Sequence, residues 1–265
     1  MKIGLSSAAF YGRMETEEAA AHVSELPVDT SEVFLETPSE YTTDFTIRLR
    51  YLMNCFPVTS VHPLGTQFEP QLFGRSVRQT DDAFAMLDRV CRTAKALGAT
   101  YYIFHGPFGV HGHLSPANIP FLEERFARIR ERAARQDLRV LWESVSWCSL
   151  STPQDVRDLL ARVPDAEFVL DVKQVHLAGA DPIDMARAMQ GHLRHLHVLD
   201  WTEDGRLTLP GSGCFDWRRF AAQLRQDGFD GAVILEPYPQ LSENEAALLR
   251  SIDFLREVFD CPRQM

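Results

Sequence analysis

Eight short apolar runs alternate with longer amphipathic stretches along the whole chain, and this alternation limits the fold more than any other feature. The runs are residues 2–5, 32–36, 57–61, 101–104, 139–142, 168–170, 195–199 and 232–235. The stretches between them carry helical periodicity over residues 15–26, 44–54, 81–97, 121–134, 152–162, 182–189, 217–225 and 243–258. In the clearest of these, Phe84, Leu87, Val90 and Ala94 recur at helical spacing behind Thr80-Asp81-Asp82, and Gly98 is the expected stop. Asp216 is the expected N-cap of the helix that opens at Trp217. Strict strand–helix alternation implies parallel strands joined by right-handed crossovers. Eight units of about 30 residues each close into a (β/α)8 barrel more readily than they extend an open sheet. No G-x-G-x-x-G follows the first run, which counts against a dinucleotide-binding open sheet.

The bulk properties agree with one domain over residues 1–265. A chain of 265 residues with 45% hydrophobic content can fill one large core. No apolar stretch is long enough to span a bilayer. The start, Met1-Lys2-Ile3-Gly4-Leu5, enters a strand directly and lacks the pattern of a secretory signal. The five cysteines, Cys55, Cys91, Cys148, Cys214 and Cys261, are odd in number and form no C-x-x-C pair. They are expected to be reduced thiols in a cytoplasmic protein. A net charge of −10 disfavours binding to a phosphate backbone, so neither nucleic acid nor membrane is an expected partner. The basic residues between Arg125 and Arg135 alternate with acids and read as a solvated helix face.

The chemistry is concentrated where the apolar runs stop. Val140-Leu141-Trp142 ends in Glu143, Phe168-Val169-Leu170 in Asp171, His195-Leu196 in His197, and Val233-Ile234-Leu235 in Glu236. Earlier runs end in Glu36, His62 and His105. In an eight-fold barrel the C-terminal strand ends converge on the active site. A single acid after a strand is often only a helix cap, but Glu is a poor cap, and four such residues on successive strands call for another reason. Carboxylate oxygens with one imidazole suit one divalent ion: Mn²⁺, Zn²⁺, Mg²⁺ or Co²⁺. Lys173, two residues beyond Asp171, shares its inward direction if that strand continues, and would then bind a phosphate or carboxylate or steady an enediolate.

An ordered set of motifs makes the chain similar to a known family. Trp142-Glu143-Ser144, Leu170-Asp171-Val172-Lys173-Gln174, His195-Leu196-His197-Val198-Leu199-Asp200, Leu209-Pro210-Gly211-Ser212-Gly213, Phe215-Asp216-Trp217 and Leu235-Glu236-Pro237-Tyr238 resemble the sugar phosphate isomerase/epimerase family, with Ser60-Val61-His62 and Phe104-His105-Gly106 fitting as well. These are xylose isomerase-like TIM barrels, which include ketose 3-epimerases, hydroxypyruvate isomerase, inosose dehydratase and, more distantly, endonuclease IV. The resemblance implies that Glu143, Asp171, His197 and Glu236 hold the metal and that Glu143 and Glu236 also move protons. It implies an H-x-x-D motif at His197 and Asp200, a G-x-G turn at Gly211 and Gly213, and substrate contacts from Asp200 and from an Arg near Arg206. Their place at strand ends makes His62 and His105 substrate contacts or supports of the metal ligands; as in endonuclease IV, they could instead hold a second ion with Glu143. Epimerases commonly carry Asp-x-x-His after the sixth strand. Gln174 stands at that His position here, which points away from the commonest free ketoses.

Such a set suits proton transfer on the carbon beside a carbonyl, with one carboxylate removing the proton and a second returning it. The expectation is therefore a metal-dependent isomerase or epimerase acting through an enediolate on a sugar, a sugar phosphate or a related hydroxy-carbonyl compound. Loss of a hydroxyl from the enediolate would make it an inosose dehydratase-like lyase instead. An endonuclease IV-like nuclease needs three metals, and Gln174 removes one of the further ligands. A non-catalytic barrel holding a sugar-like ligand is the least economical reading. The sequence is compatible with a homo-oligomer.

Overall fold

The computed structural model describes residues 1–107 and 119–259; of the residues discussed above, Cys261 lies outside them. The eight apolar runs form β1 (Lys2–Ser6), β2 (Thr30–Leu35), β3 (Val58–Pro63), β4 (Tyr101–Phe104), β5 (Arg139–Glu143), β6 (Glu167–Asp171), β7 (Leu193–Val198) and β8 (Ala232–Leu235). Neighbours pair in parallel in the order β1-β8-β7-β6-β5-β4-β3-β2, and β1 closes the barrel by pairing with both β8 and β2. The expected (β/α)8 barrel is thus the observed architecture.

Alternation along the strands divides the side chains between two compartments. Outward residues such as Val33, Val61, Phe104, Trp142, Leu170 and Leu196 pack under the surrounding helices and make up the main core. Inward residues build the barrel interior. Ile103, Leu141 and Val169 form a small apolar layer there, and two residues further along the same strands stand His105, Glu143 and Asp171. The mouth is therefore polar because it is the next inward layer of strands whose lower layer is apolar.

The outer helices are Thr16–Glu25, Thr43–Leu52, Val77–Leu97, Ile119–Ala134, Pro153–Leu160, Pro182–Ala188, Trp217–Gln226 and Glu245–Val258. Asp216 caps its helix by accepting a hydrogen bond from the Arg219 amide at 3.0 Å. Gly98 ends the third helix in the left-handed region, with φ at 83°. The start of that helix departs from expectation: it opens at Val77, and Thr80 is an interior helical residue rather than part of a cap. Thr80 is buried, and its hydroxyl donates to the Gly74 carbonyl at 3.1 Å. Among the described residues no helix is long and apolar enough to cross a membrane.

Two short helices escape a periodicity reading. Glu69–Leu72 follows β3, and Val172–Leu177 begins directly after β6. The second corrects the idea that the sixth strand runs on past Asp171. Asp171 Oδ1 accepts the Gln174 amide at 2.9 Å and so starts a helix at the point where the strand ends.

Candidate metal centre

Glu143, Asp171 and His197 occupy the C-terminal ends of β5, β6 and β7, and Glu236 follows β8. Each offers a ligand atom, and these atoms all lie within 4.8 Å of one another. His197 Nδ1 is 2.7 Å from Glu143 Oε1 and 3.5 Å from Glu236 Oε2. Ser144 helps to fix the neighbouring strand end, its hydroxyl accepting the Asp171 amide at 3.0 Å. All four residues named as a metal site in the sequence are brought together.

The donor set fits a divalent cation. Three carboxylates face one another within a largely buried space, where mutual repulsion and desolvation are costly without a positive charge between them. Glu143 Oε2 is buried and faces two imidazoles, His105 Nε2 at 3.1 Å and His62 Nε2 at 3.7 Å. Three oxygen donors and one imidazole suit Mn²⁺, Mg²⁺, Co²⁺ or Zn²⁺.

The titration behaviour of the metal-free chain expresses the same demand for positive charge. Burial pushes the Asp171 carboxyl up; Lys173 draws it back while Glu143 and Glu236 push it further, leaving it at about 6. Burial also opposes ionisation of Glu143, but His197 and His105 overcome this and hold it well below the usual carboxylate range. For His197, burial is outweighed by Glu236, Glu32 and Glu143, which raise it well above an ordinary histidine. The raised His197 and the unequal Glu143 and Asp171 thus all follow from the negative charge gathered at this mouth.

His62 and His105 stand at the rim of the same cluster. Their Nε2 atoms are 3.0 Å apart, and His105 Nε2 is 3.1 Å from Glu143 Oε2. With Glu143 they form a second group that could hold an ion. His62 also approaches Glu236 Oε1 at 3.6 Å. Trp147 packs against His105 with ring centroids 5.3 Å apart and remains 38% exposed.

Lys173 enters the site although it lies on a helix. Its ammonium is 3.3 Å from Asp171 Oδ2, 3.5 Å from Glu236 Oε2 and 4.8 Å from the centre of the Tyr238 ring. Gln174 instead ties the helix to the loop after β5, its Oε1 accepting from the Ser146 hydroxyl at 2.7 Å and the Ser146 amide at 3.3 Å.

Asp200 and Arg206 are placed apart from this cluster. Asp200 is 0% exposed, and its carboxylate accepts from the Trp201 amide at 2.7 Å, the Phe215 amide at 3.1 Å and the Trp217 indole at 2.7 Å. It braces the loop beyond β7 from beneath. Gly213 is required beside it, because a Cβ there would run into the Asp200 carboxylate and the Trp201 carbonyl. Arg206 lies beyond the end of β7, where Asp200–Trp201 pairs antiparallel with Leu207–Thr208. Its side chain is 81% exposed and paired with Asp204.

Two carboxylates of the site were not singled out in the sequence. Glu32 lies within β2, buried beside His195 and His197. Glu69, on the short helix after β3, accepts the Tyr102 hydroxyl at 2.6 Å and the His105 amide at 3.4 Å. Glu32 could have been found by counting back from Glu36 along the inward face; Glu69 had no such signal.

The chain is a closed parallel barrel with carboxylates and imidazoles gathered at the C-terminal ends of its strands. The chain belongs to the xylose isomerase-like TIM barrel family, whose model matches residues 20–258. An uncharacterised protein of Mycobacterium tuberculosis (strain ATCC 25618 / H37Rv) is 26% identical over 283 residues, covering 97% of each chain. An inosose dehydratase of Lacticaseibacillus casei is 21% identical over 129 residues, covering 41% of this chain and 43% of the dehydratase. Among solved structures, a D-psicose 3-epimerase determined in the presence of D-fructose superposes with a TM-score of 0.79 at 16% identity, covering 98% of this chain and 99% of the epimerase. That likeness establishes a common fold.

Proposed function

We propose that the chain is a divalent-metal-dependent isomerase or epimerase that transfers a proton on the carbon beside a carbonyl in a sugar, a sugar phosphate or a related hydroxy-carbonyl compound. The observation that carries this reading is the convergence of Glu143, Asp171, His197 and Glu236, with ligand atoms within 4.8 Å of one another. These four residues would hold the ion. When bound, it would draw charge from the carbonyl and neighbouring hydroxyl oxygens and make the carbon between them more acidic.

The chain's own groups would do the proton transfer. Glu143 and Glu236 both approach His62, at 3.7 and 3.6 Å, so they reach the mouth from different strand ends. One carboxylate removes the proton and the other returns it. Lys173 is positioned to counter negative charge that develops on the substrate beside Glu236. His62, His105 and Trp147 line the approach and would orient a polyhydroxylated substrate. The single-domain organisation and the cytoplasmic location expected from the sequence belong to this reading.

A dehydratase is the second reading, favoured by the match to an inosose dehydratase. It shares the first step and differs in the fate of the enediolate, which expels a hydroxyl as water instead of being reprotonated. A nuclease would draw on the group formed by His62, His105 and Glu143. Gln174 leaves its third metal site incomplete, and a net charge of −10 opposes DNA.

The test is solvent-deuterium exchange into a panel of ketoses, hydroxy-keto acids and inososes, with Mn²⁺, Mg²⁺, Co²⁺ or Zn²⁺ supplied. Deuterium should enter beside the carbonyl of at least one compound, and an unsaturated product would select the dehydratase. Glu236→Gln should keep the fold and lower exchange by roughly 10²-fold or more. Cleavage of abasic DNA with no exchange across the panel would overturn the proposal.

A further inference from the structure

We propose that Glu32 is a positioning residue of the metal centre: from inside the barrel it engages Nε2 of His197 and thereby presents Nδ1 of that imidazole to the ion. The proposal rests on the metal-site reading above and adds a residue from outside the four-ligand set.

Glu32 is 0% exposed, and a carboxylate so placed is tolerated only when well supplied with donors. Its Oε2 meets three groups: the Ser60 hydroxyl at 2.7 Å, His197 Nε2 at 3.1 Å and His195 Nε2 at 3.2 Å. An ionised carboxylate only accepts hydrogen bonds, so an imidazole nitrogen bonded to it carries the proton. For His197 that fixes the proton on Nε2. Nδ1 meets Glu143 Oε1 at 2.7 Å and Glu236 Oε2 at 3.5 Å, so it too carries a proton when no ion is bound, and it is the nitrogen whose proton a bound ion would replace. A carboxylate behind a ligating histidine in this way orients the ring and raises its basicity.

The backbone is built to make this arrangement. β2 and β3 slip in register between Ser31 and Glu32, with Ser31 opposite Val58 but Glu32 opposite Ser60. β6 and β7 slip between Phe168 and Val169, with Phe168 opposite Leu193 but Val169 opposite His195. Each slip inserts one extra residue, Thr59 or Arg194, immediately before a group that reaches Glu32. Bulges of this kind re-aim side chains, and here they bring Ser60 and His195 onto the same carboxylate oxygen. The other oxygen, Oε1, has no hydrogen-bond partner and lies 3.9 Å from His62 Nδ1. Glu32 therefore stands beneath both His197 and His62.

The experiment compares the unmodified chain with Glu32→Gln by two readouts. Competition against a chelator gives the Zn²⁺ affinity, and ¹⁵N-histidine NMR of the Zn²⁺-loaded chain gives the proton position on His197. The unmodified chain should bind Zn²⁺ with His197 protonated on Nε2. Glu32→Gln should bind it on the order of 10- to 100-fold more weakly, and Glu32→Asp should recover part of the loss. Zn²⁺ affinity in Glu32→Gln within twofold of the unmodified chain would overturn the positioning role while leaving the metal site intact. Coordination through Nε2 in the unmodified chain would overturn it without any substitution, even if Glu32→Gln failed to fold. Absence of Zn²⁺ binding by the unmodified chain would instead overturn the metal-site reading, and this proposal with it.

Discussion

The Lys173 ammonium lies 3.3 Å from Asp171 Oδ2, so a positive side chain already leans on a carboxylate assigned to the metal. Lys173 and a cation therefore compete for Asp171, and through the 3.5 Å approach of Lys173 to Oε2 also for Glu236. Replacing Lys173 with Met should tighten binding of Mn²⁺ by about tenfold or more, because a repelling charge close to the ion is removed. The same substitution should lower turnover by roughly 10²-fold, the scale of losing one electrostatic contact to developing charge. Metal titration and turnover of the same preparation would check both. Weaker metal binding would contradict the competition.

Stability of the metal-free chain should fall as pH rises. Burial alone would lower His62, but contact with Glu236 and the charges of Glu143 and Glu32 raise it to about 9 from an ordinary 6.5. A histidine raised on folding stabilises the fold fully below about 6.5, and the contribution, on the order of 3 kcal/mol, is lost as pH climbs through 9. Asp171, held at about 6 against an ordinary 3.8, acts in the same direction between those two values, because the folded chain keeps its proton longer than the unfolded one. Metal binding displaces a proton from His197, which its carboxylate neighbours hold more tightly than an ordinary histidine would, so metal affinity should rise with pH. Thermal midpoints at pH 6 and pH 9, with and without Mn²⁺, would check this. The metal-free midpoint should be lower at pH 9 and the metal-induced increment larger; the reverse order would contradict it.

Asp200 should behave as a brace. Asp200→Ala leaves the Trp201 and Phe215 amides and the Trp217 indole without the acceptor they share. The expected loss is on the order of 3 kcal/mol in unfolding free energy, with affinity for the ion changed by less than about threefold. Denaturant melts and metal titration separate the two effects. A stable Asp200→Ala protein with impaired substrate binding would restore the role that the H-x-x-D motif implies.

How far the sequence revealed the site depends on where each side chain sits along its strand. Glu143, Asp171, His197 and Glu236 were legible because each interrupts an apolar run at its C-terminal end, and barrel geometry then brings such ends together. Glu32 escaped notice because it stands near the start of its run, where a charged residue reads as a strand margin. The group it meets depends on the register slip in β3 that puts Ser60 opposite it, and that slip leaves no mark on periodicity. Lys173 was recognised as a candidate, but its route was misjudged: Asp171 is both a ligand candidate and a helix cap, and the helix it starts carries the lysine back to the mouth. Asp200 carries a motif signal, while its partners, two amides and an indole up to 17 residues away, are visible only once the loop is folded. The helix starting at Val77 shows the same limit, since Thr80 resembles a cap until its burial against Gly74 is known.

The most direct test of the account is titration of the chelator-stripped chain with Mn²⁺, beside Asp171→Asn. Asp171 belongs to the four-ligand group and not to the group of His62, His105 and Glu143, so the variant reports on the proposed centre even if a second ion binds at the rim. The account predicts one tight site per chain in the unmodified protein, weakened by roughly 10²-fold or more in Asp171→Asn, about the value of removing a charged ligand from a buried centre. An unmodified chain that takes up no divalent ion, or an Asp171→Asn protein that binds as tightly as its parent, would contradict it.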